Sequence, residues 1–454
     1  MRYRGKGRGP CPKPGLGFAS HQRGSPMKLI LGQTLSFLSD PFAGDPEASA
    51  LWDRRSGVVV DDTTGTIVEI GPADTLKRLW SNAVVEDHGD ALILPGFIDA
   101  HAHYPQTGII ASWGKRLIDW LNTYTFPEEA RFGDAGYAAE VASRYFDLVL
   151  SNGTTTTVSF CTIHPESVGA YFAEAQKRGM RVFGGKTCMD RNAPDDLRDT
   201  AQSAYDDSKR LLARWHGQGR LSYVITPRFA PTSTPEQLEA LGSLWAENPT
   251  CLMQTHLSEQ TEEIEWVMGM FPEATDYTDI YDRFGLLREG ALMGHAIHLS
   301  ARERARLKEV GASLIHCPTS NTFIGSGLFD MAGLRAEGQK VGLATDTGGG
   351  SSFSMLRTMA ATYEIGQLRG TPLHPAHLLW LATAGSAEAI GMGQTIGRLA
   401  PDYEADLVVL DLASTPGIEQ RAGRAETIWE QVFPTIMMGD DRAVAATYVA
   451  GQRV

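Results

Sequence analysis

The sequence predicts an α/β protein: a TIM (β/α)8 barrel flanked by a small β-sandwich domain built from both chain ends. Three observations predict it. Beyond Pro95, strand-like runs alternate with longer helical patterns, the sign of a parallel sheet with crossover helices. Eight such units follow one another, the number a closed barrel needs. Short β runs with turn signals stand before and after them.

Taken in order, residues 1–26 carry six basic residues, no acidic one, and repeated Gly and Pro, so a disordered basic extension is expected there. It lacks the apolar run of a secretory signal and has few of the hydroxyl residues of an organelle transit peptide, so it reads as a dispensable extension before Met27. Residues 27–95 bring the runs KLILGQTLSFL, GVVVDDTTGTIVEI and ALILP, with Thr64-Gly65 as a hairpin turn, and are expected to form the first part of the small β domain. Residues 96–389 are expected to form the barrel. Its strands are GFIDAHAH (96–103), TTTTVSFC (154–161), RVFGGKTC (181–188), SYVITPRF (222–229), LMQTHL (252–257), ALMGHAI (291–297), ASLIHC (312–317) and VGLATD (341–346). Between them lie helical patterns such as AGYAAEVASRYFDLVLSNG, with apolar residues at spacings of three and four and a closing Gly. Residues 390–454 return to β alternation in YEADLVVLDL and AATYVAGQRV, completing the small domain.

Composition bounds the function. With 454 residues, 42% of them hydrophobic, the chain can bury a large core. Its formal charge of −13 argues against nucleic acid or an anionic membrane surface as partner, since phosphate binding needs clustered Lys and Arg. No run reaches the roughly 18 apolar residues of a membrane span. Five cysteines without a C-x-x-C pair indicate neither a disulfide framework nor a cysteine zinc site, and they fit a reducing cytoplasm. A small polar ligand is the expected partner.

The chemistry gathers at strand ends. His101 and His103 are two apart in the first barrel strand and so project to one face. A lone histidine there would be an ordinary rim residue. The fifth strand, however, ends with His256, the sixth carries His295 and the eighth ends with Asp346, all on the side where barrel active sites form. Imidazole and carboxylate donors converging from four strands suit a divalent ion such as zinc, with room for a water. Glu259, three residues beyond His256, is either a proton carrier or a solvated loop carboxylate like Glu262 and Glu263. TGGGSS after Asp346 matches no phosphate-loop spacing and reads as tight packing. The absence of P-C-x-x-C excludes the zinc sites built on that cysteine motif.

PGFIDAHAH, the later single histidines and the Asp after the eighth strand resemble the amidohydrolase superfamily. Within it, HAHYPQTG, WLNTYTFPEEARF, TPRF, THLSEQ, HCPTSN and GLATDTGGGSSFSML resemble the guanine deaminases, from Met27 to the end of the chain. The resemblance implies one zinc per chain on His101, His103, His256 and Asp346, with His295 beside it as substrate partner. It implies a zinc-activated water that attacks C2 of guanine, giving xanthine and ammonia, with Glu259 and Asp346 as proton shuttles. Substrate contacts follow at Gln106, Arg228, Phe229, His256 and His295, with Trp113, Trp120 and Tyr124 in a lid. A homodimer is also implied. Binuclear relatives carry a bridging lysine at the fourth strand, where this chain has Arg228, so a single metal is expected; Lys186 reads as structural, as do His164, His298 and His316. An 8-oxoguanine, pterin or s-triazine substrate, and an inactive barrel kept for binding, are the rival readings.

Overall fold

The computed structural model describes residues 26–114 and 116–454, so the extension expected at 1–26 lies outside the described residues but for Pro26. The chain opens with β1 (Met27–Phe37), β2 (Ala50–Asp61), β3 (Thr66–Pro72) and β4 (Val84–Pro95). The barrel strands follow: β5 (Phe97–His103), β6 (Thr154–Phe160), β7 (Arg181–Gly185), the short β8 (Thr187–Cys188), β9 (Leu221–Pro227), β10 (Leu252–Leu257), β11 (Ala291–His295), β12 (Ser313–His316) and β13 (Lys340–Leu343). The chain closes with β14 (Leu407–Leu410), β15 (Val444–Val449) and β16 (Gln452–Arg453).

The barrel strands pair in parallel in the order β5-β6-β7-β9-β10-β11-β12-β13, with β8 beside β9. β13 returns to β5: the Asp346 N–H donates to His101 O at 2.9 Å and the His103 N–H to Thr347 O at 3.2 Å. Every residue of β5 and β6 is buried, as strands covered on both faces must be. Ile98, Val158, Phe183, Val224, Leu292 and Ile315 fill the interior, and Ala387, Ile390 and Ile396 pack onto that cluster. The crossover helices present the apolar stripe their spacing predicts; Ala135–Ser151 is capped by Asp134, which accepts from Gly136 N at 2.8 Å, and ends before Gly153 at φ +77°.

The two chain ends share one seven-stranded sheet, β16-β15-β14-β4-β1-β2-β3, in which β14 pairs antiparallel with β4. The expected sandwich takes the form of this single sheet curled over: the β2–β3 hairpin bonds back to the segment entering β14, through Ala405 N to Gly65 O at 2.8 Å. Ile30, Val58, Ile67, Ile93, Leu407 and Tyr448 lie enclosed between. Arg181 Nε and Arg220 Nη2 both donate to Glu404, at 2.8 and 2.6 Å, joining barrel to sheet. No helix among the described residues is long and apolar enough to cross a membrane.

Candidate active site

The site begins with a fault in β5. Ile98 and Ala100 face the barrel interior, but the register against β6 shifts between Asp99 and Ala102, and Ala102 packs with the outer helical layer. This bulge reverses the inside–outside alternation, so His101 and His103 turn into the barrel mouth. Asp99 steadies it, accepting from Thr345 N at 2.9 Å and His101 N at 3.4 Å; burial pushes its carboxyl up to about 7. Other strand ends are also bent. Ser258, His295 and Asp346 hold φ of 48°, 67° and 49°, a left-handed backbone unusual for residues other than glycine and common where a site over-determines it.

His101, His103, His256 and Asp346 come together. Donor nitrogens of the three histidines lie within 4.8 Å of one another, and His101 Nε2 and His103 Nε2 are each 3.6 Å from Asp346 Oδ1. His256 Nδ1 donates to Arg228 O at 2.7 Å, which leaves the Nε2 lone pair facing His103 Nε2 at 3.2 Å. His101 Nε2 is buried with no hydrogen-bond partner among the described residues. Burial first, and the neighbouring histidines second, hold His101, His103 and His256 well below the usual imidazole range, in the neutral form that ligates. Neutral nitrogens converging on one carboxylate, with a buried lone pair unmatched, fit a divalent cation. A second grouping, His101, His295, Cys317 and Asp346, overlaps the first.

His295 and Glu259 stand beside this cluster. Asn321 Oδ1 accepts from His295 Nδ1 at 2.8 Å, so Nε2 points to Glu259 Oε2 at 3.6 Å and Asp346 Oδ2 at 3.7 Å. Burial acts to lower the His295 pKa, but Glu259 and Asp346 outweigh it and the net shift is upward. Glu259 accepts from Ser326 Oγ at 2.7 Å, and burial raises its pKa, so it is not a solvated loop acid. Glu263, expected to be solvated, is buried as well: it accepts from Glu259 N at 2.9 Å and Tyr277 OH at 2.9 Å, bracing the loop. Only Glu262 of the three is exposed.

A cavity opens on the cluster, concave and largely apolar with a few convergent polar groups, as small-molecule sites are. His103, Gln106, Arg228, Phe229, His256, Glu259, His295 and Asp346 line it, and the His101 ring packs against that of His103. Leu117, Trp120, Leu121 and Ile324 add apolar wall. Trp120 is buried and Tyr124 packs against the same cluster, whereas Trp113 is 73% exposed and stands off the cavity. Gly349 also lines it, and a Cβ there would come within 3.0 Å of Asp346 Oδ2, which accounts for the glycine run as packing. Lys186 pairs with buried Asp199, away from the donor cluster. Sequence reasoning missed Glu129 and Asn321. Glu129, fully buried, binds both Gln106 and Arg228; two acids in a row after a proline carry no local mark of burial.

The family model described as Amidohydrolase family matches residues 92–454. Guanine deaminase of Escherichia coli (strain K12) is 43% identical over 370 residues, covering 82% of this chain and 84% of that protein. The solved structure of the E. coli guanine deaminase superposes with a TM-score of 0.91 at 38% identity, over 94% of this chain and 99% of that one. A guanine deaminase from C. acetobutylicum, solved with guanine bound in its active site, superposes at 0.85 with 28% identity, over 94% and 100% of the two chains. The chain thus belongs to the amidohydrolase family, and these relatives, similar to it over most of its length, are guanine deaminases.

Proposed function

We propose that this chain is a zinc-dependent hydrolase converting guanine and water to xanthine and ammonia, acting in the cytoplasm as a homodimer. The observation that carries the reading is one cavity lined by a metal-ready donor cluster on one side and the Arg228–Gln106 pair on the other, with buried Glu259 beside the cluster. The relatives' activity supports the choice of substrate. His101, His103, His256 and Asp346 would hold the zinc. When bound, zinc lowers the pKa of a water from 15.7 to about 7 and so supplies a nucleophile at neutral pH.

The chain's own residues do the rest. Arg228 can only donate, so it suits the O6 carbonyl of guanine and opposes the 6-amino group of adenine. Phe229, a buried ring on the cavity wall, supplies an apolar face for the purine. Attack at C2 puts electron density on N3. Glu259, whose carboxyl burial pushes upward, is the group placed to give a proton there. Asp346 takes one proton from the attacking water; Glu259 takes the second from the new hydroxyl on C2 and passes it to the exocyclic amine, and the proton held on Asp346 then restores Glu259, with His295 stabilising the charge between the two carboxylates. The C2–N bond then breaks, ammonia leaves and C2 keeps the oxygen of water.

The test is a product assay on purified protein with guanine, 8-oxoguanine, a pterin and an s-triazine, paired with metal analysis of the same sample. Release of ammonia and xanthine from guanine, at the highest kcat/KM of the panel and with zinc present, is expected. A preference for any other amine would replace the substrate while keeping the chemistry.

A further inference from the structure

Gln106 and Arg228 are not independent readers, because one carboxylate binds both. Glu129 Oε1 accepts from Gln106 Nε2 at 2.8 Å and Glu129 Oε2 accepts from Arg228 Nη1 at 2.7 Å. Glu129 is 0% exposed and Gln106 1%, so neither can exchange these partners for water. An ionised carboxylate only accepts, and a primary amide has one donating and one accepting end. The amide of Gln106 therefore has a single allowed orientation: nitrogen toward Glu129, oxygen away. That oxygen is buried and has no hydrogen-bond partner among the described residues. It is an acceptor held in reserve beside a guanidinium donor.

We propose that Glu129 is a positioning residue that fixes the hydrogen-bond polarity of the substrate-reading edge, acceptor at Gln106 and donor at Arg228. The pair complements a ring N–H next to a carbonyl, which in guanine is N1–H and O6. Adenine presents the reverse, an unprotonated N1 beside an amino group, and meets two mismatched contacts. Such mismatches are expensive in a closed site because buried polar groups are left unpaired. Glu129 itself touches no substrate. It ends the helix Phe126–Glu129, which continues from the segment bearing Trp120 and Leu121, so the reading edge and the apolar wall are set by one stretch of chain.

The inference rests on the guanine reading, and the experiment separates the two. Efficiencies (kcat/KM) are measured for guanine and for 2-aminopurine, which has an unprotonated N1 and no O6. If the unaltered enzyme does not deaminate guanine, the functional reading fails whatever the variants do. In Glu129→Gln the Gln106 amide is free to flip and offer its nitrogen to N1 of 2-aminopurine. The guanine-to-2-aminopurine ratio should fall by about tenfold or more, the effect of mispairing one buried hydrogen bond, with metal content unchanged. The exchange Gln106→Glu with Glu129→Gln puts the carboxylate at the other end and again leaves only an oxygen on the side of residue 106 turned from residue 129. It should bring the ratio back to within about threefold of the starting value, too small a gap to represent a lost hydrogen bond. Equal losses for both substrates in Glu129→Gln, or no recovery in the exchange, would overturn the proposal. Should the single variant not fold, the exchange alone decides: a preserved ratio supports the assignment and a collapsed ratio refutes it.

Discussion

Arg228→Met removes the guanidinium but keeps an apolar stem of similar reach, and two separate losses follow from its surroundings. The first is functional. A hydrogen bond to a charged donor contributes about 1.5–3 kcal/mol, and burying O6 unpaired adds to it, so guanine efficiency should drop by about 10–10³-fold. The second loss concerns the partner. Arg228 is 3% exposed and Glu129 0%, so solvent does not screen the pair, and removing one member strands a buried carboxylate at a cost of about 3–5 kcal/mol. With an unfolding entropy near 2.1 cal/mol/K per residue over 454 residues, the unfolding midpoint should fall by about 3–5 °C. Adding Glu129→Gln removes the stranded charge. The double variant should regain most of the midpoint while guanine efficiency stays low, since no donor has returned. Differential scanning calorimetry and steady-state kinetics on the three proteins measure both arms. An Arg228→Met protein that unfolds at the original temperature would refute the stranded-charge argument, and one that keeps full efficiency would remove Arg228 from recognition.

Other outcomes follow from the same geometry. Glu259→Gln keeps the bond to Ser326 but lacks the transferable proton, so turnover should fall by at least about 10² with metal content near normal; unchanged turnover would exclude Glu259 from proton transfer. One metal equivalent per chain is expected by elemental analysis, lost with activity on chelation and restored with zinc, because Arg228 occupies the fourth-strand position and Lys186 is committed to Asp199; two equivalents in the fully active protein would contradict this. Burial and the nearby Glu259 push Glu263 up to about 7, against 4.5 in an unfolded chain. Its neutral form therefore stabilises the fold below pH 4.5, and that contribution is lost as pH rises through 7. Glu263→Gln, which stays neutral, should compare more favourably with the original protein at pH 8 than at pH 5 in denaturant unfolding, and a pH-independent difference would mean Glu263 does not titrate in this range.

Much of this was legible because barrels write their chemistry at fixed places. Residues two apart at the end of a buried strand share a face, so His101 and His103 could be paired on paper, and strand ends located His256, His295 and Asp346 independently of any contact. What the alternation rule could not reveal is the β5 bulge, since an extra residue in one strand leaves no mark in composition. Strand ends were approximate for a similar reason: RVFGGKTC breaks at Lys186 into β7 and β8, and β13 stops at Leu343, short of Asp346, because the last residues leave the ladder to reach the site. Glu129 and Glu263 were hidden because a glutamate near a helix start is usually solvated. Their burial depends on partners from distant strands and helices, Arg228 and Tyr277, that no local pattern links to them.

The closure of β13 onto β5 has a consequence for the chain as it is being made. Asp99 and Thr345, 246 residues apart, are bonded across that seam, and Asp346 meets His101 and His103 over the same line. A growing polypeptide exposes three of the four donors long before it has the last. The carboxylate arrives only when the eighth barrel strand does, and the sheet that steadies the first strand still waits for β14 to pair with β4. An interrupted product, ending anywhere before that strand, cannot assemble the donor set. The four donors can therefore meet only after the eighth barrel strand has been made.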